Sequence, residues 1–170
     1  VFTIGASTTA LYYVSFKLVR NEEGNITKQF FTAFRSNFKK ATLIWLPLLG
    51  LGILFGIDGY VLYHIRLENV FWTLCGAVLI CAGVVYLIVL LNVFPLFARF
   101  ENTIPATFKN ALVMGLRYLF CSILMAVVYF VIYYVIINIF TPFVVFGQGL
   151  GALICSWLIL PILERLENNK

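Results

Sequence analysis

The sequence predicts an all-α, polytopic transmembrane helical bundle, and three observations carry that prediction. Of 170 residues, 62% are hydrophobic and only 11% are charged, whereas an ordinary soluble domain carries about 25% charged residues. The mean hydropathy is +1.00. Charge is absent from three long stretches, residues 41–57, 69–98 and 118–163. A soluble globule of this length cannot hide so much apolar surface, because a domain of about 150 residues still exposes about 30% of its unfolded-chain area. Composition therefore excludes a soluble enzyme domain, a disordered chain and a disulfide scaffold.

Taken in order, residues 1–26 read as an N-terminal cytoplasmic helix and turn. In residues 27–40, Phe30, Phe34 and Phe38 recur every fourth position, while Lys28, Arg35, Lys39 and Lys40 hold the opposite face. That is the pattern of a helix lying in the headgroup layer. The face made by Phe30, Phe34, Phe38, Lys39 and Lys40 has two readings: an elbow that sets the tilt of the next span, or a docking surface for a cytoplasmic partner. Spans follow at 41–64, 70–95, 115–138 and 143–163, each near the roughly 20 residues a bilayer requires. The first reaches that length only by including Asp58, which places this acid near an interface. The uncharged stretch 118–163 would measure about 69 Å as one helix, so it must be two spans. Its break falls at 138–143, where Thr141-Pro142 disfavours helix before the proline. Residues 103–117 are a weaker amphipathic copy, with Ile104, Phe108 and Leu112 set against Lys109, Asn110 and Arg117.

Eleven of the twelve Lys and Arg residues fall on one side of this arrangement, and only Arg66 lies opposite. The positive-inside rule then places segments 17–40, 99–117 and 165–170 in the cytoplasm of a multi-pass cell-membrane protein. The net charge of +5 is thereby explained by topology and by attraction to an anionic bilayer, with no role for nucleic acid.

The chain also repeats itself. Pro95-Leu-Phe-Ala-Arg-Phe-Glu-Asn102 recurs as Pro161-Ile-Leu-Glu-Arg-Leu-Glu-Asn168, and Phe38-Lys-Lys-Ala41 recurs as Phe108-Lys-Asn-Ala111. Both copies share one orientation, so residues 27–102 and 103–170 read as parallel-repeat helical hairpins, each led by an amphipathic helix. Arg99 and Arg165 are expected to cap the last carbonyls of their helices.

Chemistry-bearing patterns are sparse. The one histidine, His64, supports no triad and no two-histidine metal site, and the cysteines Cys75, Cys81, Cys121 and Cys155 lack CxxC spacing. No catalytic residue, cofactor or metal is expected. His64, Asp58, Arg66 and Glu68 read as a solvated outer rim. The sequon at Asn25 faces the cytoplasm in this topology and is discounted. Gly52-Ile-Leu-Phe-Gly56 and Gly147-Gln-Gly-Leu-Gly151 are small-xxx-small patterns that let helices approach closely. They serve either packing within the chain or a homo-oligomer through Gly52, Gly56, Gly147 and Gly151. Asn92 and Gln148 are the strong amides inside spans, with Ser122, Ser156, Tyr86, Tyr129, Tyr133 and Tyr134 around them. They either hydrogen-bond between helices or line a cavity for a polar solute such as a sugar. The lack of a charged residue in any span core argues against ion-coupled transport and voltage sensing.

Val1-Phe-Thr-Ile-Gly-Ala-Ser-Thr-Thr-Ala-Leu-Tyr-Tyr13, followed by residues 17–20 and by Phe30-Phe-Thr-Ala-Phe-Arg-Ser-Asn-Phe-Lys-Lys40, resembles the YesL-like family. These are small membrane proteins of Gram-positive bacteria with no assigned biochemical function. The resemblance implies a further hydrophobic span just before residues 3–9, so the chain reads as lacking a first transmembrane helix from a five-span whole. It also implies gene neighbourhoods rich in sugar uptake and polysaccharide use. The resulting expectation is an accessory or regulatory component of a sugar-uptake membrane complex, with a small-solute, sugar-like carrier as the alternative. The family carries no catalytic residues to transfer, and no enzyme is expected.

Overall fold

The structure, a computed structural model, describes residues 3–22, 24–64, 70–100, 103–138 and 144–167. Those residues form six helices: α1 (Ile4–Val19), α2 (Ile26–His64), α3 (Val70–Arg99), α4 (Ile104–Arg117), α5 (Leu119–Asn138) and α6 (Val144–Glu167). The expected break at Thr141-Pro142, the outer residues Arg66 and Glu68, the motif ends Asn102 and Asn168, and Lys170 lie outside the described residues. Four helices are long and apolar enough to cross a membrane: Ile26–His64, Val70–Arg99, Leu119–Asn138 and Phe146–Glu167.

The most enclosed helix is α1. Gly5, Ala6, Thr9, Ala10, Tyr12, Val14, Ser15 and Phe16 are all buried, against α2, α3 and α6. Its hydroxyls are tolerated there because they bond back to the helix's own carbonyls. Ser7 Oγ and Thr8 Oγ1 donate to the Ile4 carbonyl at 2.9 and 2.8 Å, and Thr9 Oγ1 donates to that of Gly5 at 2.8 Å. Gly5 allows close contact with α2, since a Cβ there would lie 2.7 Å from both the Ala41 carbonyl oxygen and Trp45 Cβ. The helix ends at Asn21, whose φ of 55° is left-handed. The Asn21 amide bonds the Leu18 carbonyl and the Glu22 amide bonds that of Lys17, the two bonds of a Schellman cap.

Asn25 then starts α2. Its Oδ1 accepts from the Lys28 amide at 3.2 Å, so this residue is a helix N-cap. From here α2 runs unbroken for 39 residues, through Pro47. No elbow separates residues 27–40 from the span, which corrects the expectation of a headgroup-plane helix. Nothing at 39–42 interrupts the helix, and its inward face continues through Ala33, Ala41, Ile44 and Leu48 along α1. At about 1.5 Å per residue, α2 is about 58 Å long, twice the roughly 30 Å hydrocarbon core. The second unit behaves differently. Tyr118, at φ −115° and ψ 48°, separates the amphipathic α4 from α5, and α4 packs on α3. Only the second unit has an elbow.

One apolar core joins all six helices, with Tyr12 and Phe16 of α1, Ile44 and Leu48 of α2, Phe94 and Phe97 of α3, Met114 of α4, Met125 of α5 and Ile159 and Leu163 of α6 among its members. The outer halves of α2 and α3 lie outside it, and no residue in 49–64 or 70–87 is buried. Leu54, Ile57, Phe71, Leu74, Val78 and Ile80 are all more than half exposed. A large aliphatic or aromatic side chain gains roughly 1.5–3 kcal/mol on leaving water, so these surfaces belong in hydrocarbon. The chain is built as a multi-pass membrane protein.

Candidate functional site

The polar groups inside the apolar bundle are the place to look for function. Asn92 is buried on α3, and its Nδ2 donates to the Ile88 carbonyl at 2.8 Å and to Ser122 Oγ of α5 at 2.9 Å. Ser122 Oγ in turn donates to the Gly115 carbonyl at 3.3 Å. Gly115 itself presses on this group, since a Cβ there would lie 3.0 Å from Asn92 Nδ2. The result is a short chain of bonds that fastens the α4–α5 elbow to α3.

Gln148 is not part of that cluster. Its Nε2 donates to Tyr133 Oη at 2.7 Å, linking α6 to α5 on a half-exposed surface. Two further contacts involve Tyr129 and Tyr86, which the sequence marks as polar, with partners it does not single out. Tyr12 Oη and Tyr129 Oη lie 3.0 Å apart and join α1 to α5. Tyr86 Oη donates to the Leu48 carbonyl at 2.9 Å and joins α3 to α2. Gly52 makes room for this last bond, because a Cβ would lie 2.7 Å from the Tyr86 oxygen. The surface cavities include one of about 340 Å³ beside the α1–α2 turn and one of about 290 Å³ against α6. Neither is lined by Asn92 or Gln148.

The aromatic face of α2 does not stand free. Phe34 and Phe38 pack against the core, and the Phe30, Phe34 and Phe38 rings follow one another at 6.3 and 5.5 Å. Phe31 is the exposed ring, at 62%, and Lys39 and Lys40 point outward. Of the face offered as an elbow or a docking surface, Phe34 and Phe38 are thus covered by the chain's own core. The glycines divide in the same way. Gly147 is buried, and a Cβ on Gly151 would lie 3.0 Å from Ile132 Cδ1. Gly52 sits against Tyr86, whereas a Cβ on Gly56 would have nothing within 4 Å. Three of the four proposed oligomer contacts are used within one chain.

Charges gather where α1, α3 and α6 end. Arg20 donates from Nε and Nη2 to Glu164 Oε1 at 3.0 and 2.8 Å. Arg99 Nη2 donates to Glu167 Oε2 at 2.7 Å. The Arg99 guanidinium therefore reaches across to the second copy of its motif, where a cap on its own helix was expected. Among the described residues no group of His, Cys, Asp and Glu is arranged to hold a metal. The four cysteines are free thiols, and Cys121 Sγ lies 3.7 Å from the Leu158 carbonyl oxygen. His64 Nδ1 sits 3.0 Å from the Tyr60 carbonyl oxygen at the outer end of α2.

Residues 1–59 match the model of a family described as Protein of unknown function, DUF624. The matched stretch is α1, its cap and most of α2. No curated protein matches the chain, and no solved structure does.

Proposed function

We propose that this protein is a multi-pass component of the cell membrane that works by contact with other membrane proteins, as an accessory or regulatory subunit associated with carbohydrate uptake, and that it catalyses no reaction of its own. The observation that supports this reading over a carrier is the commitment of Asn92 and Gln148 to Ser122 and Tyr133. A solute path needs polar groups turned toward it, and these two face neighbouring helices. The link to carbohydrate comes from the resemblance of residues 1–13 and 30–40 to the YesL-like family of Gram-positive bacteria. Contact with a sugar-uptake complex, or with a second copy, would use the exposed outer faces of α2 and α3, where Gly56 leaves the backbone open. The basic segments 17–40, 99–117 and 165–170 face the cytoplasm in this proposal.

Two measurements on the full chain test it together. A tagged protein purified from membranes should bring down a sugar-uptake permease in fixed stoichiometry. The same protein in sealed vesicles should admit no labelled sugar. Saturable sugar entry that Gln148→Leu abolishes would replace this reading with the carrier.

A further inference from the structure

Residues 24–57 carry four cations, Lys28, Arg35, Lys39 and Lys40, and no Asp or Glu. All four are exposed on α2. None makes an ion pair with a described residue, and the described acids at this end of the bundle are committed elsewhere: Glu22 to Lys17 and Arg20, Glu164 to Arg20, and Glu167 to Arg99. At 3.6 residues per turn, Lys28, Thr32, Arg35 and Lys39 fall within about 60° of one another and form a strip about 16 Å long. Phe31, 62% exposed, flanks it, while the opposite face packs inward through Ala33, Ala41 and Ile44. The strip opposes two local preferences of its own helix. Arg35 and Lys39 repel as like charges one turn apart. Lys28 stands in the N-terminal turn, where the macrodipole favours anions and α2 offers no acid. Both conflicts are relieved by carboxylates brought from outside.

Lipid headgroups do not fit this geometry. With 41–64 as the span, those residues measure about 36 Å, already more than the roughly 30 Å hydrocarbon core. Because α2 is unbroken, residues 26–40 continue out of the bilayer. The headgroup layer adds only about 5–8 Å on each side, enough to reach Lys39 and Lys40. Phe31 and Lys28 stand about 15 and 20 Å beyond the hydrocarbon. What fits the strip is a protein segment that runs along α2 with carboxylates at helical spacing and an apolar side chain for Phe31. We propose that this strip docks an acidic amphipathic helix of a partner protein, its carboxylates on Lys28, Arg35 and Lys39 and its apolar edge on Phe31. This surface is apart from the outer faces of α2 and α3, so the carbohydrate-uptake reading neither supports it nor falls with it.

The test uses the full chain in nanodiscs of phosphatidylcholine, with empty nanodiscs as the blank. The probe is a dye-labelled helical peptide with glutamate along one face and leucine beside it, compared by fluorescence anisotropy with the same peptide bearing glutamine. At low salt the glutamate peptide should bind about tenfold more tightly, the product of three exposed ion pairs at about two- to threefold each. Lys28→Gln with Arg35→Gln should leave only about a two- to threefold preference. Lys109→Gln with Arg117→Gln, exposed cations of α4, should keep it whole. No preference, or equal loss in both pairs of variants, would overturn the proposal. The lipid alternative is read from a bimane on Phe31→Cys in a chain whose native cysteines are replaced, placed in nanodiscs of phosphatidylglycerol. The dye should be quenched by aqueous iodide and spared by a spin label on the headgroup, and headgroup quenching would assign the strip to the bilayer and sink the idea. If the substituted chains misfold, the unsubstituted one decides. In 1 M salt, where screening acts within about 3 Å, the preference should vanish, and its survival would refute the ion-pair strip.

Discussion

An amide nitrogen left unpaired in hydrocarbon costs several kcal/mol, so the bonds that Asn92 donates to Ile88 and Ser122 decide whether α3 can carry it. Interhelical bonds of this kind contribute on the order of 0.6–1.7 kcal/mol in membranes. Asn92→Leu and Ser122→Ala should each lower unfolding free energy in mixed micelles by about that amount. The double variant should lose little more than either single one, because the pair is one interaction. Gln148→Leu should behave likewise with Tyr133→Phe. Ser156 offers the opposite sign. Its hydroxyl is buried with no hydrogen-bond partner among the described residues, so Ser156→Ala should be neutral or stabilising in the same titration. Glycine positions split by the same reasoning. Gly5→Ala drives a methyl into the Ala41 carbonyl and should cost about 1–3 kcal/mol as overpacking. Gly56→Ala meets open space and should gain about 0.5–1 kcal/mol from reduced chain entropy, read as a higher thermal midpoint in detergent.

At the scale of elements, the turn from α1 to α2 rests on Asn21 in the left-handed region. Asn21→Gly should leave the thermal midpoint unchanged or raise it, while Asn21→Val should cost about 1–2 kcal/mol. Equal effects of the two would mean the Schellman cap does not form in the bilayer. The helices themselves were legible in the sequence wherever burial is one-sided or uniform. The spans in α3, α5 and α6 read as uncharged runs, and α4 read as an apolar stripe facing charge. The role of α1 was not legible, for a physical reason. A helix enclosed by α2, α3 and α6 needs small and self-satisfied side chains, and Gly5, Ser7, Thr8 and Thr9 resemble a turn in composition. Nor could periodicity tell what covers the stripe of Phe30, Phe34 and Phe38. Lipid, a partner and α1 all demand the same spacing. The polar positions fared better, because Asn92 and Gln148 stand out against an apolar background, but their partners Ser122 and Tyr133 depend on which helices become neighbours.

For the molecule as a whole, the ends of α1, α3 and α6 are drawn together by Arg20–Glu164 and Arg99–Glu167. The second pair joins the two copies of the Pro/Arg/Glu/Asn motif, which accords with the proposed parallel repeat of 27–102 and 103–170 without depending on it. These pairs are exposed to solvent, so they set register more than stability. They also give the topology a physical test. Helices α1, α3 and α6 end together, and with α2 crossing away from them the proposed topology puts Gly24 and the His64 end of α2 on opposite sides of the membrane. In the proposed topology eleven of the twelve Lys and Arg residues share the face of Gly24, which the positive-inside rule would put in the cytoplasm. In a chain whose four native cysteines are replaced by serine or alanine, Gly24→Cys should be shielded from an impermeant thiol reagent in intact cells and react only after the membrane is opened. Glu68→Cys should react at once. Asn168→Cys should follow Gly24, since an even number of crossings separates them. Labelling of Gly24 with shielding of residue 68 would invert the orientation while keeping the bundle. Labelling at Asn102→Cys in intact cells, with Gly24 shielded, would break the pairing of α2 and α3 as two consecutive spans and, with it, the four-span architecture.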